Sequence, residues 1–177
     1  MHPRETGDLY NNIALWWSER LANSQYGLKY VSKAIAYSKR SGDALDVGCG
    51  SSARISDSLL AAGFNVSGLD VSESMIELEK RHNPDVNFIH ADVCEWEPSK
   101  TYEIIVAWDS TFHVPHAMQA KVTAKLCTAL SPGGILLLQE ETAMVRNAAR
   151  WKIAKHCADR NFTTVRWLHP NTFGSWN

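Results

Sequence analysis

The stretch Leu45-Asp46-Val47-Gly48-Cys49-Gly50-Ser51-Ser52-Ala53 reads as the end of a buried strand that runs into a glycine turn and then into a helix. Glycine accepts the left-handed backbone of a tight turn and lets a ligand approach bare main chain, while the following helix start offers free N–H groups. The G-x-G-x-x-A spacing alone also fits an ordinary strand-to-helix turn. Its meaning depends on the flanking chain.

Outward from this turn, residues 44 to 140 alternate short apolar runs with longer amphipathic ones, the pattern of β-α-β units. The expected strands are 44–47, 64–69, 86–89, 103–108 and 135–138, and the expected helices are 53–62, 73–81 and 116–130. Gly63 stops the first helix, Ser72 caps the second, and the third lies between Pro115 and Pro132-Gly133-Gly134. These elements predict a doubly wound α/β fold with a mostly parallel sheet. Asp46 lies in the turn, Asp70 ends the second strand in Gly68-Leu69-Asp70-Val71, and Asp92 follows the third in Ala91-Asp92-Val93. The carboxyl ends of parallel strands share one edge, where ligands bind, so all three carboxylates are expected at one cleft.

The flanks differ from this core. Residues 8–40 carry helical spacing, with Ile13, Trp16, Trp17 and Leu21 recurring at i, i+3, i+4 and i+8 and Leu28, Val31 and Ile35 at i, i+3 and i+7, and the rings of Tyr10, Trp16 and Trp17 are either the buried face of the first helix or free to cover a pocket. Residues 141–177 hold six Lys and Arg against two Asp and Glu, together with Trp151, Trp167 and Trp176. A helix over 143–159 and a sixth strand over 162–168 are expected there.

The whole chain of 177 residues is 45% hydrophobic with a net charge of −1, which suits one packed domain and a neutral or small partner. Its 18 basic and 19 acidic residues lack the cationic excess of a nucleic-acid or membrane-surface binder. No apolar run approaches the ~20 residues of a membrane span, and the start lacks a secretion-type apolar stretch, so a cytoplasmic protein is expected. Cys49, Cys94, Cys127 and Cys157 form no C-x-x-C pair and read as reduced thiols.

Asp46-Val47-Gly48-Cys49-Gly50, Asp70, Ala91-Asp92-Val93, Ala107-Trp108-Asp109-Ser110 and Ser131-Pro132-Gly133-Gly134, in that order, resemble the motifs of class I S-adenosylmethionine-dependent methyltransferases. The resemblance covers roughly residues 8 to 140. It implies a Rossmann-like fold with S-adenosyl-L-methionine as cofactor. Asp46 and the Gly48, Cys49 and Gly50 backbone would hold the methionine part, and Asp70 the ribose hydroxyls. Val71 and Met75 would line the adenine, Asp92 would take its amino group, and Ala91 and Val93 would flank it. Trp108 and Asp109 would sit between the methionine part and the acceptor. Residues 8–40 would act as lid helices, with Tyr10 and Trp17 over the cofactor. Ala53 departs from the pattern, since many members have a third glycine there. The seven-stranded sheet of the family also leaves too little chain after residue 140. One further strand at most is expected, with the fifth strand partly uncovered and a homodimer pairing across that edge.

The transfer is an in-line displacement on an activated methyl donor, so positioning and electrostatics are the protein's main tasks. His113 and Asp109 are the catalytic candidates, His113 either as the base that deprotonates the acceptor or as a residue that shapes the pocket. Asp109, His113 and His116 have metal-ligand residue types but sit in one loop beside Pro115, and no metal is expected. The N-P-P-Y type motif of nucleic-acid amino-methylating enzymes is absent, which favours a small-molecule oxygen or nitrogen acceptor. The competing readings are a nicotinamide-dependent oxidoreductase, disfavoured by Asp46 inside the turn, and a non-catalytic cofactor-binding module with a shortened C-terminus.

Overall fold

The computed structural model describes residues 3–38 and 40–140 with their side chains, except that of Glu140, and the backbone of 150–156 and 165–168. Two helices lead the chain, α1 (Pro3–Leu21) and α2 (Leu28–Tyr37). The core follows as β1 (Asp43–Val47), α3 (Arg54–Ala61), β2 (Asn65–Asp70), α4 (Glu73–His82), β3 (Asn87–His90), β4 (Tyr102–Ala107), α5 (His116–Thr128) and β5 (Leu130–Glu140). A 3-10 turn at Thr111–His113 precedes α5, and β6 (Arg150–His156) and β7 (Val165–Leu168) follow β5.

The sheet order is β3-β2-β1-β4-β5-β6-β7, and β3 to β5 are parallel. The order reverses between β1 and β4, which places the switch-point crevice at the carboxyl ends of those strands. Strand alternation sorts the core into two faces. Ala44, Ile104, Val106, Ile135 and Leu137 pack with Val31, Ala34, Ile55 and Leu59 on one side, and Leu45, Val47, Ile105, Leu136 and Leu138 pack with Val122 and Leu126 on the other.

Two expectations fail at the ends of the chain. The segment expected as a helix over 143–159 contains β6, which pairs antiparallel with β5, and β7 pairs antiparallel with β6. Two strands therefore fit where one was expected, because they are short, seven and four residues, and pair antiparallel. β5 is not an edge, and the edge-pairing argument for a homodimer loses its premise.

The second correction concerns α1. Its buried residues are Pro3, Thr6, Gly7 and Ala14, whereas Ile13 and Trp16 are exposed. The helical period was read correctly but its phase was not. Small residues face inward because α1 lies close on the β2–α4 junction: a Cβ at Gly7 would stand 2.7 Å from the Val71 carbonyl oxygen. Asn11 Oδ1 accepts hydrogen bonds from Ser72 Oγ at 2.7 Å and the Ser74 N–H at 3.1 Å, so α1 helps cap α4.

Candidate active site

A cleft opens at the carboxyl ends of β1, β2 and β4, roofed by α1. Its floor is the glycine turn. Gly48 and Gly50 have φ of 70° and 65°, and a Cβ at Gly48 would fall 2.2 Å from Ser110 Cβ, so that position requires glycine on two counts. The Gly48 and Cys49 N–H groups both donate to the Leu69 carbonyl, at 2.7 and 3.1 Å. Asp70 completes the stitching: Oδ2 accepts the Gly50 N–H at 2.9 Å and Oδ1 the Ser72 N–H at 2.8 Å. Burial raises the Asp70 pKa, and these backbone donors oppose the shift. Burial also holds the Cys49 thiol well above its ordinary range.

The β3 end is apolar with one polar opening. Val71, Met75, Ala91 and Val93 line it. Asp92 is 7% exposed; its Oδ1 accepts the Cys94 N–H at 2.8 Å, while its Oδ2 is buried without a partner. A buried carboxylate oxygen without a partner suits an incoming N–H donor, because leaving it unpaired is costly. Lys125 Nζ donates to the carbonyls of Val93 and Cys94, at 3.3 and 3.1 Å, and fixes this loop from α5.

The β4 end is built differently. Tyr10 and Trp17 come down from α1, their rings meeting edge to face at 5.9 Å. Tyr10 Oη and His113 Nε2 are 3.0 Å apart, and burial raises the Tyr10 pKa. Trp108 borders the cleft, but its ring is largely committed elsewhere, stacked on Tyr30 at 5.2 Å and pressed against Gly27. Asp109 has a φ of 53°, rare for a non-glycine residue, and its N–H donates to Gln139 Oε1 at 3.0 Å. Its carboxylate lies 3.6 Å from Arg54 Nη2, and burial raises its pKa against the pull of Arg54. Among the described residues no three His, Cys, Asp or Glu side chains converge on a metal-sized site.

Of the residues singled out in the sequence, Tyr10, Trp17, Gly48, Cys49, Gly50, Asp70, Val71, Met75, Ala91, Asp92, Val93, Trp108, Asp109 and His113 all border this cleft. Asp46 does not. It is 1% exposed on the α3 side of β1, with Oδ2 3.4 Å from Ser56 Oγ and Oδ1 unpartnered. Strand alternation turns it away, since Val47 takes the other face. Burial pushes its pKa up to about 7, with Arg54 opposing. The case against a dinucleotide from Asp46 therefore loses its force.

Sequence reading missed four contributors. Arg54 and Ser52 border the cleft just past the glycine turn. Gln139, 6% exposed on β5, is joined to the site only in three dimensions. The fourth, Glu79, holds Ala53. That alanine takes a left-handed φ of 53° where a glycine would be unstrained, and its N–H donates to Glu79 Oε1 at 2.5 Å. Glu79 is fully buried and its pKa is pushed up to about 8 by burial, with the Ala53 N–H opposing.

Known proteins share this arrangement. A methyltransferase domain profile matches residues 18–177. Trans-aconitate 2-methyltransferase of Acidovorax sp. (strain JS42) is 37% identical over 98 residues, covering 54% of this chain and 36% of that enzyme. Ubiquinone biosynthesis O-methyltransferase of Hydrogenovibrio crunogenus is 29% identical over 127 residues, covering 68% of this chain and 50% of that enzyme. The chain thus spans half or less of the length of these two relatives. The structure of magnesium protoporphyrin IX methyltransferase from Synechocystis PCC 6803 with bound S-adenosylmethionine matches with a TM-score of 0.64 at 18% identity, covering 80% of this chain and 78% of that one. A cyclase matches with a TM-score of 0.63 at 16% identity, covering 82% and 64%, so the fold does not decide the reaction. With residues 18–177 matched by the methyltransferase domain and the ordered motifs in place along β1 to β5, the chain belongs to the class I S-adenosylmethionine-dependent methyltransferase family.

Proposed function

We propose that the chain is a single domain that binds S-adenosyl-L-methionine in the cleft and transfers its methyl group to a small-molecule oxygen or nitrogen acceptor. The observation that carries this reading is the unpartnered, buried Asp92 Oδ2 at the β3 end, with Asp70 and the glycine turn beside it. The residues present fit the cofactor. Asp92 offers an acceptor for the adenine amino group, between the apolar walls of Val71, Met75 and Val93. Asp70 has the carboxylate oxygens to accept from both ribose hydroxyls. The bound sulfonium supplies an already activated methyl group.

The protein then has to orient, enclose and move one proton. α1 covers the cleft and limits water access to it. Tyr10 Oη fixes the imidazole of His113, which would take the proton that the acceptor gives up. An oxygen acceptor is favoured, because both curated relatives described above carry names consistent with small-molecule methylation, one of them an O-methyltransferase. The family match disfavours a nicotinamide oxidoreductase.

Calorimetric titration tests the reading. S-adenosylmethionine and its demethylated product are expected to bind and NAD is not, and Asp70→Ala should weaken cofactor binding at least about tenfold. Unchanged affinity in that variant would contradict the assignment.

A further inference from the structure

The inner face of α1 is committed to its own molecule, with Gly7 against Val71, Asn11 on α4, and Tyr10 and Trp17 over the cleft. Its outer face is turned to solvent. Leu9, Ile13 and Trp16 are 53%, 39% and 57% exposed there, and large apolar side chains left in the open mark an interaction surface when they stand together. They do stand together. At about 100° per residue the three fall within an arc of about 60° on the helix, and adding the exposed Glu5 and Arg20 widens that arc only to about 80°, with Asn12 and Glu19 along its margin.

The charges on this stripe sit at opposite ends. Glu5 lies in the first turn of α1 and Arg20 in the last, with the apolar side chains between them. Each sign suits its own end of the helix dipole, which accounts for an acid near the start and a base near the end but not for their sharing the apolar arc. Position supplies the rest. Glu5 and Arg20 are equally far from the midpoint between Asn12 and Ile13, and so are Leu9 and Trp16. A two-fold axis through that midpoint lays α1 antiparallel on a second α1, so that Glu5 meets the partner's Arg20 and Leu9 meets the partner's Trp16. Both ion pairs then form at once, about 22 Å apart along the helix, with apolar contact between them. Such a self-complementary face is what an isologous contact requires, and the near-antiparallel crossing of about 20° common for packed helices keeps both ends in reach. A membrane surface fits less well, since it favours cations along the polar flanks and α1 carries Glu5, Asp8 and Glu19 against Arg4 and Arg20, with Arg4 engaged by Glu95 at 2.9 Å.

We propose that the outer face of α1 is the association surface of a reversible two-fold dimer, in which a second copy of this chain lays its own α1 antiparallel across Leu9, Ile13 and Trp16 with Glu5 opposite Arg20 at each end. This surface is distinct from the β5 edge, and the assignment does not depend on the cofactor reading. One helix pair is small beside a standard interface of about 1,600 Å², so a Kd of about 10–100 μM is expected.

Sedimentation velocity on the whole chain tests it. The wild type should pass from monomer to dimer over that range, and a chain that stays monomeric at about 500 μM overturns the proposal, whether the face is bare or covered by the chain's own residues. Trp16→Ser should weaken association at least about 30-fold, because a central aromatic anchor is lost twice by symmetry, and unchanged association in that variant overturns the surface. The register has a sharper test. Glu5→Arg and Arg20→Glu, each alone, set like charges against each other at both ends of the helix pair and should weaken self-association at least about tenfold. Mixed in equal amounts, the two variants bring opposite charges together at both ends, so a heterodimer should form within about threefold of the wild-type affinity. That recovery would also show that neither reversal damages α1. No effect of the single reversals, or no recovery on mixing, overturns the antiparallel pairing, and growth into larger species overturns the closed two-fold arrangement.

Discussion

The two ends of the cleft are built on different principles. At the β1–β3 end, carboxylates follow successive parallel strands and engage backbone N–H groups within a few residues or across one strand spacing, as Asp70 does with Ser72 and Gly50. At the β4 end the groups come from remote elements: Tyr10 from α1 meets His113, Gln139 from β5 meets Asp109, and Arg54 from α3 faces the same carboxylate. The first end follows from the β-α-β repeat itself. The second exists only once tertiary packing is complete, and it is where the rare backbone of Asp109 and the Tyr10–His113 pair are found.

The sharpest way to break the contrast is His113→Ala. If the β4 end carries the proton transfer, turnover should fall about 100-fold while cofactor affinity stays within about twofold. A parallel loss of affinity would merge the two ends into one binding site. Asp70→Ala is the mirror experiment, with its tenfold or larger effect confined to binding.

Smaller effects probe the support beneath the turn. Glu79 has a folded-state pKa of about 8 against an ordinary 4.5. Between those values the folded protein holds a proton at Glu79 that the unfolded chain has lost, so the stability Glu79 contributes is fully present below pH 4.5 and is lost as pH rises toward 8. Thermal melts across that window should show a shallower decline for Glu79→Gln than for the wild type, and an identical slope would remove Glu79 from the account. Ala53→Gly relieves a left-handed alanine and should raise stability by about 1 kcal/mol in urea denaturation. A destabilised variant would mean that the lost buried methyl group and the added freedom of the unfolded chain outweigh the relieved backbone.

This difference in construction also explains what the sequence made legible. Gly48, Gly50, Asp70 and Asp92 were readable because strand ends and turns place them by local rules. Asp46 was misplaced because its distance along the chain said nothing of which face of β1 it takes. Arg54 stood four residues past Gly50 in plain view, yet nothing in the spacing showed that it would be buried against its helix's field. Gln139 and Glu79 carry no motif and matter only through single long-range hydrogen bonds to Asp109 and Ala53. The face of α1 was misjudged because large apolar side chains outweighed Gly7 and Ala14 in the periodicity, while close approach favoured the small ones. The antiparallel pair after β5 escaped notice because the length it needs was counted together with that of a further helix and its turns.

The most direct measurement is a crystal structure with S-adenosylhomocysteine bound. The account predicts the adenine amino group within about 3 Å of Asp92 Oδ2, the ribose hydroxyls on Asp70, and the methionine end toward the β4 end of the cleft. A nucleoside bound in the reverse direction, with its base at the β4 end, or bound outside this cleft, would contradict it.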